Sequence, residues 1–132
     1  MGLFTGLFRK HGKDSDDFFT WLDAILAREL DSGIQAICFN LYEDAGGKWS
    51  IELVGTAAFD ADNDDWACQE VFATRDHPFV IQRESDWRTM EGVFTALVRD
   101  YLSRGKYAGK LKRYQAVGLG FVDGDLHLLY RA

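Results

Sequence analysis

The residues of this chain best suited to chemistry form one run, Asp60-Ala61-Asp62-Asn63-Asp64-Asp65, followed at once by Trp66. Asp60, Asp62 and Asp64 match the first, third and fifth ligands of a calcium loop of the EF-hand type. The sixth position of such a loop needs Gly for its sharp turn, and here it is Asp65. The twelfth needs a bidentate Glu, and here it is Val71. The run is therefore no EF-hand, and no metal is expected. Recognition suits it better: carboxylates steer a basic partner, and an adjacent aromatic supplies contact energy. Asp60, Asp62, Asp64, Asp65 and Trp66 are the candidate partner-binding residues.

A second candidate lies near the C-terminus. Gly118 and Gly120 interrupt an otherwise apolar strand, and Gly inside a strand often marks close backbone approach or a ligand surface. Strand alternation puts His127 and Arg131 on the same face, so Gly118, Gly120, His127 and Arg131 form a candidate ligand face. Close packing of an arm, or simple solvent exposure, is the preferred account of these glycines.

Catalytic signatures are lacking in the sequence. His11, His77 and His127 are scattered, and neither His-x-x-x-His, His-Glu-x-x-His nor a Cys-His zinc spacing occurs. There is no Gly-x-Ser-x-Gly elbow and no P-loop. Asp123 and Asp125 resemble a carboxylate pair, but Asp123-Gly124 is accounted for as a turn. The expectation is a non-enzymatic chain with no catalytic residue and no cofactor. A basic cluster, Arg99, Arg104, Lys106, Lys110, Lys112 and Arg113, is interleaved with Tyr107 and Tyr114. Such a mixture can hold single-stranded nucleic acid, but it is also what the end of a helix favours.

The elements that must position these groups follow from periodicity. Residues 1–14 read as a flexible or docked arm, in which Met1–Lys10 could also form a short amphipathic anchor. Ser15 reads as an N-cap, with Asp16 and Asp17 in the first turn and Phe18, Leu22, Ile25, Leu26 and Leu30 as a helical stripe. Two alternating runs flank Ala45-Gly46-Gly47. A three-residue loop there pairs Leu41 with Ile51, Phe39 with Leu53 and Ile37 with Gly55. Trp66–Thr74 reads as a third strand, Asp76-His77-Pro78 as a turn, and Val80-Ile81 as a further extension of the sheet. A second helix starts near Ser85 or Asp86, carries Met90, Phe94, Leu97 and Tyr101, and stops at Gly105. Asp123-Gly124 reads as a type I′ turn pairing Phe121 with Leu126, Leu119 with Leu128 and Val117 with Tyr130. The expected fold is a single α+β domain over residues 1–132, α-β-β-β-α-β-β. It has one antiparallel sheet of about five strands and two helices on one face.

Composition bounds what such a domain can do. Its 132 residues suit one domain with a real core, and its 47% hydrophobic residues and 19 aromatics argue against disorder. The net charge of −6 speaks against nucleic acid as the main partner. That charge is uneven. Residues 1–66 carry 5 Lys and Arg against 13 Asp and Glu, while residues 67–132 carry 10 against 8. Two cysteines, Cys38 and Cys68, do not make a disulfide framework. No apolar run reaches the length of a membrane span, and the basic residues of the N-terminus follow its apolar stretch rather than precede it. A cytoplasmic location is expected.

The element order, the acidity and the stretch Tyr114–Asp125 resemble the small bacterial immunity proteins of polymorphic toxin systems. These are compact α+β domains that bind and block a toxin. The order also resembles that of type III secretion chaperones, which are dimeric binding modules and usually add a third helix after the last strand. The resemblance implies a protein partner, a basic toxin domain under the first reading, with the oligomeric state left open between monomer and homodimer. It carries over no functional residue. A small-ligand domain or enzyme using the glycine face is the remaining alternative.

Overall fold

Two consecutive glycines set the register of the first hairpin. In this computed structural model, which describes residues 2–132 and side chains from Gly12 onward, Gly46 and Gly47 both take left-handed backbone, with φ of 77° and 71°. Only glycine adopts that conformation without strain. The turn joins β1 (Ala36–Asp44) to β2 (Lys48–Thr56), and Leu41 faces Ile51, Phe39 faces Leu53 and Ile37 faces Gly55, as expected.

Two short strands pair with the outer side of β2. β4 (Phe79–Gln82) runs along Lys48–Ile51 and β3 (Glu70–Ala73) along Val54–Thr56, both antiparallel. On the other side, β5 (Ala116–Phe121) joins β1, and β6 (His127–Arg131) closes the edge. The six-stranded sheet is mostly antiparallel. Its one parallel pair is β1–β5, which the long connection through the second helix makes possible.

α1 (Gly2–Leu26) and α2 (Trp87–Arg104) cover one face of the sheet. α2 is capped by Asp86, whose carboxylate accepts from the Thr89 N–H at 2.8 Å. It ends at Gly105, whose N–H donates to the Tyr101 carbonyl. Phe18, Leu22, Ile25 and Leu26 of α1 meet Met90, Phe94, Leu97 and Tyr101 of α2 over Ile37, Phe39, Leu41, Ile51 and Leu53. A short α3 (Ala108–Leu111), absent from the sequence reading, presents Lys110 to the end of α1. Its ammonium donates to the carbonyls of Leu26 and Arg28 at 2.6 and 2.7 Å. Part of the basic cluster thus caps a helix, where carbonyls lack partners and the dipole favours positive charge.

Three expectations are corrected. α1 begins at Gly2, so Ser15 lies inside it. Its hydroxyl meets Arg104, and the neighbouring Asp14 pairs with Arg83 at 2.9 Å. The expected arm therefore has helical backbone from Gly2, while Met1 and the side chains before Gly12, His11 included, lie outside the described residues. Trp66–Thr74 is not one strand: Asp64–Cys68 is a 3₁₀ turn and only Glu70–Ala73 pairs. In the last hairpin Val117 faces Tyr130 as expected, but Gly118 faces Leu128 and Leu119 faces His127. One extra residue in β6 makes a bulge. Gly124 is not left-handed, and its N–H donates to the Phe121 carbonyl, so the turn is longer than a type I′ pair.

Candidate functional site

The acidic run sits on the sheet face away from α1 and α2. Asp60, Asp62, Asp64 and Asp65 are exposed, whereas Trp66 is only 3% exposed. The loop is shaped by its own side chains: Asp60 accepts from the Asp62 N–H, and Asn63 caps the 3₁₀ turn through the Asp65 N–H. The indole of Trp66 points inward, into a small second core with Ala36, Cys38, Val54 and Ala116, with Phe59 edge-on at 5.2 Å. The carboxylates are therefore available to a partner, and the tryptophan beside them is not.

The same indole explains Gly118. A Cβ there would meet the Trp66 ring at 3.4 Å and Leu126 at 3.2 Å, and a Cβ on Gly120 would collide with the Asp125 carbonyl. The glycine face is covered by close packing. The bulge in β6 also divides the predicted set. Arg131 lies opposite Ala116, with its guanidinium 5.9 Å from the Phe59 ring, while His127 lies opposite Leu119 on the α2 side, 3.5 Å from Glu91. Gly118, Gly120, His127 and Arg131 do not converge on one surface.

A polar cluster that the sequence reading missed occupies the rest of that face. Glu52 is 1% exposed. Its Oε1 accepts from Tyr42 at 2.7 Å, Arg75 at 3.0 Å and Asn40 at 3.1 Å, while Oε2 has no partner among the described residues. Arg75 also grips Glu70 in a two-bond fork and holds that carboxyl below its ordinary range. Burial pushes the Cys38 thiol up to about 12, with the Glu52 charge adding to the shift. A suppressed thiolate is a poor nucleophile. The cluster thus seals the sheet and offers no activated group.

The acidic groups that do converge are elsewhere. The C-terminal end of β1, the first turns of α2 and the β5–β6 turn surround a cleft of about 670 Å³. Leu41, Phe121 and Trp87 form its apolar floor and wall, with Trp87 edge-on to Phe121 at 6.1 Å and itself 49% exposed. Glu43, Glu91, Asp123 and Asp125 stand around it, and among the described residues His127 is the one basic group in the lining. Asp123 and Asp125 were visible in the sequence as a pair but were absorbed by the turn. Glu43 comes from β1, whereas Trp87 and Glu91 stand one turn apart on α2, and no local spacing links that pair to Glu43 or to the turn carboxylates. Among the described residues no group of three His, Cys, Asp or Glu is arranged to hold a metal, and no helix is long and apolar enough to cross a membrane. Compared with known proteins, the chain matches no family model, no curated protein and no solved structure.

Proposed function

We propose that this chain is a non-enzymatic, cytoplasmic protein-binding domain that captures and occludes a basic partner through its acidic surface, in the manner of an immunity protein. The observation that carries this reading is the convergence of Glu43, Glu91, Asp123 and Asp125 on one apolar-floored cleft. Charge around a concave aromatic surface combines steering with contact energy, whereas exposed charge on a loop supplies steering alone. The cleft anchors the partner, and Asp60, Asp62, Asp64 and Asp65 speed its approach.

The test is affinity capture from the native organism with three baits. Wild type retains a basic protein. Glu43→Lys/Asp123→Lys/Asp125→Lys loses it. Asp62→Lys/Asp64→Lys/Asp65→Lys retains it with slower association and weaker salt dependence. Undiminished capture of the same protein by both triple variants overturns the reading.

A further inference from the structure

The cleft is specific about what it can receive. Its volume, about 670 Å³, lies in the range of ligand pockets and exceeds one side chain, so it suits a side chain together with its flanking backbone. Four carboxylates against one imidazole call for a cationic occupant. The acidic residues come from β1, α2 and the β5–β6 turn and so line the cleft from three separate elements. A compact ammonium meets few of them at once, whereas a planar guanidinium presents five donors in a fixed fork. The exposed aromatic favours the same ion. Guanidinium stacks on indole and is weakly hydrated; Arg88 of the chain itself lies 5.3 Å from the centre of the Trp87 ring, so an incoming guanidinium replaces it or takes the free face.

We infer that the cleft is the receptor for an arginine side chain of the protein partner, stacked against Trp87 and bridged by Glu91 and the turn carboxylates Asp123 and Asp125. The inference rests on the protein-binding reading and names the group that reading requires. It also assigns His127 a part. Its imidazole, 3.5 Å from Glu91, occupies the wall against which the incoming guanidinium pairs.

The experiment is an amide and indole NMR titration of the full chain with blocked Gly-Gly-Arg-Gly-Gly and its lysine and citrulline counterparts. The arginine peptide shifts the Trp87 indole and the amides near Glu91 and Asp123, with affinity in the millimolar range expected for one side chain. The lysine peptide binds about two- to fivefold more weakly, the size of one exposed cation–π contact, and the neutral citrulline peptide does not bind. Trp87→Leu removes the preference for arginine over lysine. Asp62→Asn/Asp64→Asn/Asp65→Asn leaves the titration unchanged. Equal shifts with citrulline, a response confined to residues 60–65, or no response at all overturns the inference. If the peptide fails while the native partner is still lost on reversing the cleft, the arginine assignment falls and the protein-binding reading stands. If both fail, both fall.

Discussion

The two acidic patches of this molecule differ in what lies beneath the charge. In the loop at residues 60–65 the neighbouring aromatic, Trp66, is turned inward and packed against Gly118. In the cleft the aromatic, Trp87, is turned outward and half exposed. The first tryptophan builds the fold and leaves its carboxylates as a solvated rim. The second is flanked by Phe121 and Arg88 and still leaves half its surface open to a partner. Local density of Asp and Glu does not separate the two cases. The direction of the adjacent indole does.

That contrast is most sharply broken by truncating each tryptophan. Trp66→Ala removes the centre of the second core and should cost about 3–5 kcal/mol. Trp87→Ala, at an exposed helix start, should cost less than about 1 kcal/mol. Urea unfolding of both variants measures this. Comparable losses would mean that Trp87 is a structural residue and that the cleft floor is merely core left uncovered. Gly120→Ala comes next, since its Cβ would press on the Asp125 carbonyl and push the β5–β6 turn outward. Overpacking of this kind costs about 1–3 kcal/mol. It should also disturb the cleft amides and spare those of the 60–65 loop.

How far the contrast was legible in the sequence depends on distance along the chain. The β1–β2 register followed from Gly46-Gly47 and strict alternation, and α2 followed from Asp86, a regular apolar stripe and Gly105; all of these are local signals. The parallel β1–β5 pair is set by packing between segments some eighty residues apart, as the register Ile37–Val117 shows. The direction of Trp66 was lost because an apolar residue in a 3₁₀ turn has the same local look as one in a strand. The bulge in β6 was lost because Asp123-Gly124 is the usual two-residue hairpin signal, yet here Phe121 accepts from Gly124 in a longer turn. That slip of one residue moved His127 from the glycine face to the cleft. The cleft itself was illegible because its carboxylates are brought together only when α2 packs beside β1 and the β5–β6 turn.

The sheet face behind the loop offers a finer test, through Arg75. Replacing it by Met leaves buried Glu52 with Asn40 and Tyr42 alone. Arg75 is itself about half exposed, so screening limits the loss to about 1–2 kcal/mol at neutral pH. Because Arg75 lowers the Glu70 pKa, that carboxyl adds stability above its ordinary 4.5, and the contribution is lost as pH falls through the lower folded value. The gap between wild type and Arg75→Met in urea melts should therefore narrow below pH 4.5. A gap that is constant down to acid unfolding would show that Arg75 acts by packing alone.

The smallest effect expected separates the two thiols, one packed beneath Trp66 and one two residues after it in the chain. Cys38 is buried and its pKa is raised from 9.0 to about 12, chiefly by desolvation, whereas Cys68 is exposed. An aromatic disulfide reagent at pH 8 should consume one thiol at once and the second only as the packing around Trp66 opens, so Trp66→Leu should speed the slow phase alone. The raised pKa also has a sign for stability. The folded state keeps the proton that the unfolded chain releases, so the contribution is complete below pH 9 and is lost as pH rises toward 12. At pH 10 the loss is on the order of 1 kcal/mol. The difference in unfolding free energy between wild type and Cys38→Ala, followed from pH 8 to pH 10, isolates this contribution from that of every other group. If that difference does not change with pH, or both thiols react together, then Trp66 does not seal the second core, and the distinction between an inward and an outward tryptophan loses its structural basis.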